Sequence, residues 1–385
     1  MGSVLNDKWT LERLIGIGGM AAVYSGLHRN GARAAVKVLH ADVARIAQVR
    51  ERFLREGYAA NRVEHPGAVK VLDDDIIASG PDQGSAYLVM ELLRGESLES
   101  RLGWRKPPMS ERQVLLLARA VLSVLEAAHA HGVVHRDLKP ENLFLPEPEE
   151  DDDPKVTRVK ILDFGLARVA DARLRTMSGF AVGTPSYMPP EQAAGRIEEI
   201  DGRSDLFALG ATCFRILAGR TVHPGKNAVE IAVKMAKEPA PKLHVVAPSV
   251  SPATAAVINR ALEYQREDRW PDAASMRAGV DAALAELDAK PKAAPKPAAQ
   301  PPALPKVAQP DNEPRRVRRS RMPILTLLLL LVVGGKVLQE ELDKRDNAQR
   351  NPKAEPVDAA AAAQIETLDA GPSAPPHAST RSSAR

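Results

Sequence analysis

Two short polar motifs constrain this 385-residue chain more than any other feature of its sequence. The first is the run from His135 to Asn142, and the second is Asp163-Phe164-Gly165, which begins 21 residues after Asn142. Either motif alone is compatible with an ordinary loop. Their joint occurrence at this spacing indicates one polar site, built by two neighbouring segments of a single lobe. The side chains that the motifs bring to this site are Asp137, Lys139, Asn142 and Asp163.

These residue types match the demands of phosphoryl transfer, in which the protein mainly positions groups and neutralises developing charge. Asp137 is expected to orient the attacking hydroxyl and accept its proton, and Lys139 is expected to reach the γ-phosphate. Asn142 and Asp163 offer the hard oxygen ligands that Mg²⁺ prefers. The sequence therefore predicts an enzyme that uses ATP and Mg²⁺.

A glycine-rich turn lies between two strand-like runs near the N-terminus. Glycines allow backbone N–H groups to approach phosphates closely, although two spaced glycines are weak support alone. The support increases because Ala34 to Lys37 follows as a strand ending in a lysine, which is expected to bind the α- and β-phosphates. The turn residues predicted to contact the nucleotide are Gly16, Ile17, Gly18, Gly19, Met20 and Ala21.

The next amphipathic segment predicts a helix that supplies a partner for Lys37. Phe53, Glu56 and Ala60 fall on one face of it, so Glu56 is a carboxylate where an apolar residue is expected. Taken alone, Glu56 would be interpreted as a solvated surface acid. Beside the other motifs, it is predicted to pair with Lys37.

Together these motifs resemble the eukaryotic-like Ser/Thr protein kinases of bacteria, over about Trp9 to Leu287. The resemblance implies an α+β, two-lobed protein kinase fold, with a small β-rich N-lobe and a larger helical C-lobe. It also implies a non-specific serine/threonine protein kinase whose partners are protein substrates. The run from Lys139 to Asn142 favours serine and threonine over tyrosine as the acceptor.

The resemblance also assigns an adenine site. The run Val89 to Leu93 looks like the hinge, with Met90 as gatekeeper and Glu91 to Leu93 supplying main-chain hydrogen bonds. Each apolar wall residue is also an ordinary core residue, and only the alignment with the family selects it for contact with adenine. These wall residues are Ile15, Val23, Ala35 and Leu143.

A regulatory and substrate-binding segment follows Asp163. In this family an arginine such as Arg136 holds a phosphate on the activation segment, so Thr176 and Ser178 are candidates for autophosphorylation. The alternative is that both are solubilising loop hydroxyls. The run Gly183 to Met188 resembles the loop that receives the substrate, with Thr184 bonded to Asp137 and Lys139.

Further features of the resemblance concern structure. Asp205 is expected to bond the catalytic-loop backbone, and Glu191 to pair with Arg269. Two positions depart from the pattern, since Ala21 replaces a third glycine and Pro189 replaces an alanine. Neither departure removes a catalytic atom, so an active enzyme is expected rather than a pseudokinase.

Periodicity and composition place the remaining parts of the catalytic domain. Val114 to Gly132 predicts a long helix with a capping box from Ser110 to Gln113. The acidic run 147–153 is expected to extend a hairpin loop, because it separates two strand-like runs and its spacing fits no metal loop. The single cysteine, Cys213, is expected to be a buried apolar residue, and the lack of a disulfide framework and of a signal peptide places the domain in the cytoplasm.

Composition changes after the catalytic domain, which is predicted to span 9–287. Residues 288–321 are Pro/Ala/Lys-rich and then Arg-rich, which is typical of a disordered juxtamembrane linker. Residues 322–338 are predicted to form a transmembrane helix, and 339–385 a short disordered extracytoplasmic tail. The apolar run is at the lower length limit for a span, so a core helix and a peripheral amphipathic anchor are the alternatives.

The basic charge that precedes the apolar run supports the predicted transmembrane helix. Nine Lys and Arg residues against two acids in 289–321 predict that this side is cytoplasmic, by the positive-inside rule. The basic charge lacks interleaved aromatic residues, so no nucleic-acid partner is expected. The sequence thus predicts a single-pass protein of the cell (inner) membrane, with the tail outside and no sensor domain of its own. Signalling through a homodimer of the kinase domain, or through a partner, is left open.

Two rival functions remain at this point. One is an ATP-binding, kinase-like scaffold at the membrane, with weak or no catalysis. The other is a small-molecule kinase that shares the fold. The segment 183–191 argues against it, because this segment resembles a platform that binds a peptide. The intact Asp137, Asn142 and Asp163 favour the active protein kinase over the scaffold.

Overall fold

The computed structural model describes residues 2–103, 106–148, 158–164 and 185–289, except the side chain of Glu56. All of these residues belong to one unit of the chain, which extends over residues 1–299. Most of the acidic insert, the segment that carries Thr176, Ser178 and Thr184, and everything after Ala289 lie outside the described residues. The predictions made for those segments stay predictions.

The N-terminal part of the described chain is a six-stranded antiparallel sheet with strand order β1-β2-β3-β4-β6-β5. Strand β4 carries the apolar run predicted from the sequence, and its residues Ala34 to Val36 are buried. The strands are β1 (Val4–Leu5), β2 (Trp9–Ile17), β3 (Ala21–His28), β4 (Arg33–Leu39), β5 (Val71–Ile76) and β6 (Ala86–Met90).

Two helices lie between β4 and β5, namely α1 (Ala41–Ala44) and α2 (Ala47–Asn61). The apolar face of α2 packs on the sheet, where Phe53 shares a buried cluster with Leu39 and Leu88. Gly57 makes this approach close, because a Cβ added there would lie 2.8 Å from Leu88 Cδ2. The predicted amphipathic helix is therefore present, and Glu56 lies within it.

The rest of the described chain is mainly helical. Its central helix α4 begins with the predicted capping box of Ser110 and Gln113 and is followed by Gly132, whose φ is +68°. The helices of this part are α3 (Leu98–Arg101), α4 (Glu111–Ala130), α5 (Pro190–Ala193), α6 (Gly202–Ala218), α7 (Ala228–Lys237), α8 (Leu243–Val246), α9 (Pro252–Ala261) and α10 (Ala273–Ala289).

The helix α4 forms the centre of the larger core. Its residues at the predicted spacing, from Val114 to Ala128, are buried against α6 and α10, and each fully buried Leu or Val stabilises the fold by about 1.5–3 kcal/mol. Among the described helices, only α4 is long and apolar enough to cross a membrane, and here that apolar surface is used in packing. Cys213 is 2% exposed within the same core, as predicted.

A three-stranded sheet, ordered β7-β8-β9, contacts the short helix α3. Its strands are β7 (Gly95–Ser97), β8 (Leu143–Pro146) and β9 (Lys160–Ile161). The antiparallel pairing of β8 with β9 confirms the predicted hairpin around the acidic insert. This hairpin matters for the site, because the two polar motifs flank it. The predicted division into a β-rich N-lobe and a larger helical lobe is thus confirmed.

Candidate active site

The two polar motifs adopt unusual backbone conformations. Arg136 has φ of +68° and Asp163 has φ of +58°, a left-handed region that non-glycine residues seldom occupy. His135 joins the two motifs, since its Nε2 lies 2.8 Å from the Leu162 carbonyl oxygen. The ring of His135 also meets Phe164 edge to face, with centroids 5.1 Å apart. The surrounding contacts hold both strained residues in place.

Asp205, at the start of α6, holds the backbone of the first motif. Its carboxylate accepts hydrogen bonds from the N–H groups of His135 (2.9 Å) and Arg136 (2.8 Å). His129 Nε2 lies 2.9 Å from the same carboxylate, which is 1% exposed. Burial alone would raise the pKa of Asp205, but the hydrogen bonds and charge from the two histidines outweigh it, so that pKa lies below its ordinary value. The predicted brace is present, and His129 is a member that the sequence did not indicate.

Three of the predicted catalytic side chains, those of Asp137, Lys139 and Asn142, contact one another within a short stretch of the chain. Lys139 Nζ lies 2.8 Å from Asp137 Oδ2. Asn142 Nδ2 donates to the Asp137 carbonyl oxygen at 2.8 Å and lies 3.2 Å from its carboxylate. The short 3₁₀ helix Pro140–Asn142 brings Asn142 back to Asp137, and its first residue is a proline, as suits a helix start. A hydroxyl that approaches Asp137 therefore also approaches an ammonium group.

Lys37 and Asp163 connect the two lobes. Lys37 Nζ lies 2.7 Å from Asp163 Oδ1, and the two side chains are 12% and 30% exposed. Lys37 stands on β4 opposite Val23 of β3 and Leu88 of β6, so the sheet determines its position. The structure thus brings together two residues that are 126 positions apart in the sequence. The predicted partner Glu56 has no described side chain, so the Lys37–Glu56 pair remains a prediction.

The oxygen atoms at this junction fit a hard divalent cation. The amide nitrogen of Asn142 is engaged by Asp137, which leaves its Oδ1 as an acceptor. Asp163 meets Lys37 through Oδ1, and its carboxylate is 30% exposed. Carboxylate and amide oxygens are the donors that Mg²⁺ takes from proteins, with waters and phosphates completing its shell. Asn142 and Asp163 are therefore suited to hold a metal together with a nucleotide.

The glycine-rich turn joins β2 to β3. Gly18 N–H donates to the Ala21 carbonyl oxygen at 2.8 Å and closes the turn. A Cβ added at Gly16 or Gly19 would meet no atom within 4 Å, so the space over the turn is open. Ile15 and Ile17 on the flanking strand are 45% and 72% exposed. The turn thus offers backbone to an incoming phosphate, in the place that the sequence predicts.

The predicted hinge follows β6. Ala35 of β4 pairs with Met90, so these two candidate adenine contacts are neighbours in the sheet. The N–H of Leu93 has no hydrogen-bond partner among the described residues, which leaves it available to a ligand. Leu143, the wall residue predicted on the other lobe, is fully buried at the start of β8.

The hinge also contains an ion pair that sequence reasoning missed. Lys160 Nζ donates to both carboxylate oxygens of Glu91, at 2.7 and 2.8 Å. Glu91 accepts a further bond from the Lys70 N–H at 2.9 Å. The sequence predicts only main-chain contacts for Glu91, whereas in the structure its side chain ties the hinge to the strand that leads into Asp163. No local pattern indicates this, because Lys160 and Glu91 are 69 residues apart.

The pair Glu191–Arg269 is present as predicted and is almost fully buried. Arg269 donates from both terminal nitrogens to the two carboxylate oxygens, at 2.9 and 2.8 Å. Ser204 Oγ donates to the same carboxylate at 2.7 Å. Burial alone would raise the pKa of Glu191, but the bonds from Arg269 outweigh it, so that pKa lies below its ordinary value of 4.5. This pair anchors the chain just beyond the undescribed segment.

Comparisons with known proteins agree with this geometry. The family model described as "Protein kinase domain" matches residues 9–278. The chain belongs to the protein kinase family, and the predicted two-lobed protein kinase fold is confirmed. Its catalytic part is of the bacterial Ser/Thr type, as the relatives indicate.

Two relatives and one solved structure illustrate the similarity. The serine/threonine-protein kinase Pkn1 of Myxococcus xanthus is 41% identical over 281 residues, covering 72% of this chain and 38% of its own length. The serine/threonine-protein kinase PknA of Mycobacterium tuberculosis is 35% identical over 287 residues, covering 72% and 63%. The crystal structure of the PknI kinase domain of M. tuberculosis has a TM-score of 0.56 at 27% identity, covering 74% of this chain and 98% of that one. Because the chain spans only 38% and 63% of these two relatives, the comparison concerns the kinase domain.

Proposed function

We propose that this chain is a serine/threonine protein kinase that transfers the γ-phosphate of ATP to protein hydroxyls. The observation that carries the proposal is that Asp137, Lys139 and Asn142 contact one another and that Lys37 pairs with Asp163. The two sets lie on bonded segments, because the Leu162 N–H donates to the Asn142 carbonyl oxygen at 2.9 Å. ATP and a divalent metal are what the family implies, and Mg²⁺ suits the oxygen donors described above. The relatives named serine/threonine-protein kinases support the choice of acceptor.

Each residue then has a physical task. Asp137 accepts a hydrogen bond from the substrate hydroxyl, aligns its oxygen with the γ-phosphorus and takes up its proton. Lys139, 2.8 Å from Asp137, neutralises charge that develops on the transferred phosphoryl group. Lys37 exchanges part of its contact with Asp163 for the α- and β-phosphates. Asp163 and Asn142 would hold Mg²⁺, which supplies charge neutralisation to the phosphate oxygens when it is bound.

Autophosphorylation of Thr176 or Ser178 is part of the proposal. Both hydroxyls lie between Asp163 and Glu191, the two anchored ends of the activation segment. Arg136 adjoins Asp137 and is suited to bind a phosphate carried by that segment. A phosphate there would order the segment through new charged hydrogen bonds. Thr184 is proposed to bond Asp137 and Lys139 once the substrate loop is in place.

The alternative function is a kinase-like scaffold that binds ATP at the membrane without catalysis. No observation on the described residues favours it, because none of the predicted catalytic side chains that the structure describes is missing or separated from the others. The two functions differ in turnover, which a direct assay resolves.

The full-length chain in detergent is expected to incorporate radiolabelled phosphate from ATP into itself and into a basic protein substrate. The label should require Mg²⁺ and disappear with EDTA, and Lys37→Met should abolish it because the nucleotide's phosphates lose their cation. Mass spectrometry is expected to locate the label on Thr176 or Ser178. Binding of ATP without any label would favour the scaffold instead.

We further propose that the kinase domain, residues 9–287, is tethered to the cell (inner) membrane. The apolar run 322–338 would cross the bilayer once, preceded by the linker 288–321 with its cluster of arginines. The kinase domain would then face the cytoplasm and residues 339–385 the other side. Signalling from the membrane, with a homodimer of the kinase domain as one route, rests on this placement.

Membrane fractionation tests the tether. The full chain is expected in the membrane pellet and to resist extraction by carbonate, while a chain lacking 322–338 is expected in the supernatant. The reason is that this mostly apolar segment, whose one charge is Lys336 near its end, reaches the lower length limit of a bilayer span. A second variant, in which the arginines of 315–321 are exchanged for glutamines, tests whether the basic cluster rather than the apolar run holds the chain at the membrane. A peripheral anchor would be released by carbonate, and this result would replace the span by an amphipathic attachment.

A further inference from the structure

His40, directly after β4, holds the glycine-rich turn through two hydrogen bonds. Its backbone N–H donates to the Met20 carbonyl oxygen at 2.8 Å. Its side-chain Nε2 lies 3.0 Å from the Gly18 carbonyl oxygen. Both the neutral Nε2–H tautomer and the charged ring can donate in this contact. One residue therefore binds two of the carbonyl groups in the turn.

This arrangement determines which way the turn's peptide groups face. In a trans peptide, the carbonyl of Gly18 and the N–H of Gly19 point to opposite sides. Holding the Gly18 oxygen on the side of His40 therefore directs the Gly19 N–H away from it. That N–H has no partner among the described residues, and the space around Gly19 is open. Carbonyl oxygens repel phosphate and N–H groups bind it, so this orientation favours an anion.

His40 also couples the turn to Lys37. It stands three residues beyond Lys37 on the same continuous segment, so both are positioned by β4. His40 is the N-cap residue of α1, yet its side chain makes no capping bond to that helix. The imidazole is committed to the turn instead. The turn and Lys37 are the two groups expected to meet the nucleotide's phosphates. His40 thereby keeps the distance between them fixed.

We propose that His40 is a positioning residue that keeps the glycine-rich turn in the shape that presents the Gly19 N–H to a phosphate of the nucleotide. This inference rests on the proposed use of ATP. It concerns phosphate recognition alone, since the hydrogen bonds that His40 donates go to the turn, whereas adenine would be met by the hinge and by the apolar walls. A substitution at His40 should therefore weaken the binding of phosphorylated ligands and leave the binding of the nucleoside unchanged.

Calorimetric titration of the full-length chain with ADP, with Mg²⁺ present, and separately with adenosine tests the proposal. His40→Ala is expected to weaken the binding of ADP about 3- to 10-fold, which is the effect of one net hydrogen bond, and to leave the binding of adenosine unchanged. His40→Gln keeps a donor at the end of the side chain and is expected to restore ADP binding. His244→Ala, at an exposed position of α8 remote from the turn, is the matched control and should bind both ligands as the wild type does.

The outcomes separate this inference from the proposed function. If the wild type binds ADP and His40→Ala binds it equally well, His40 does not position the turn. Equal weakening of ADP and adenosine would also overturn the proposal, because it would indicate a general distortion of the lobe. If His40→Ala does not fold, His40→Asn, whose amide is too short to reach Gly18, takes its place. A wild-type chain that binds no ADP would contradict the proposed function, and the inference with it.

Discussion

Asp137→Asn is expected to lower the rate of phosphate transfer about 1,000-fold, within the range attributed to a general base. The variant retains the shape of the side chain, and the backbone carbonyl of residue 137 still accepts the bond from Asn142. What disappears is the charged oxygen that lies 2.8 Å from Lys139 and accepts the substrate's proton. Affinity for ATP should be unchanged, because Lys37, Asp163 and the turn are intact.

Single-turnover phosphate transfer and nucleotide titration on the same preparations measure these two effects separately. Asp82→Asn, an exposed aspartate in the loop before β6, is the matched control and should transfer phosphate at the wild-type rate. A small loss of rate in Asp137→Asn would mean that Asp137 is not the base. A large loss of ATP affinity would place its role in binding rather than in the chemical step.

Arg269→Met is expected to lower the free energy of unfolding by about 3–5 kcal/mol, because it leaves the buried Glu191 carboxylate without its cation. The Arg269 and Glu191 side chains are 0% and 3% exposed, so water cannot replace the lost bonds. The matched control is Arg277→Met. Arg277 pairs with Glu126 at 2.7 Å, but these side chains are 38% and 42% exposed, so that substitution should cost less than about 1 kcal/mol. Chemical denaturation of the three proteins at pH 7 gives the comparison.

The same pair predicts a pH dependence. The pKa of Glu191 in the folded chain is below its ordinary value of 4.5, so its contribution to stability is present above about pH 4.5 and is lost as the pH falls through the folded pKa. In Arg269→Met, protonation relieves the buried charge instead. Burial raises the pKa of Glu191 once Arg269 is gone, so the stability difference between wild type and variant should narrow as the pH falls from 7 to acid. A difference that stays constant from pH 7 to acid would assign the effect to lost packing around Arg269.

Local pattern was sufficient for several elements. The capping box at Ser110 and Gln113, followed by apolar residues at helical spacing, predicted the long helix to within about three residues at each end. Strand β4 and the hairpin of β8 and β9 followed from short apolar runs bounded by polar segments. Such signals succeed because capping and amphipathicity depend on residues close together in the chain. The predicted site residues were found the same way, through motifs that each lie within about ten residues.

The contacts between distant segments could not be predicted from local sequence patterns. Arg215 of α6 donates to both carboxylate oxygens of Glu99 in α3, 116 residues away, and also contacts the hydroxyl of Tyr187. Lys160 with Glu91, and His129 with Asp205, are of the same kind. Each of these side chains is an ordinary charged or polar residue in its own segment. Their partners are chosen by how the helices and strands pack.

The sequence by itself indicated the protein family, helices α2 and α4, strand β4, the β8–β9 hairpin and the chemical types at the candidate site, because motifs and periodicity are local properties of the chain. Only the tertiary structure decided that Lys37 meets Asp163, that Glu91 is tied to Lys160 and that His40 holds the turn at Gly18. The physical reason is that an ion pair or hydrogen bond requires atoms within about 3 Å. That proximity comes from the packing of whole elements.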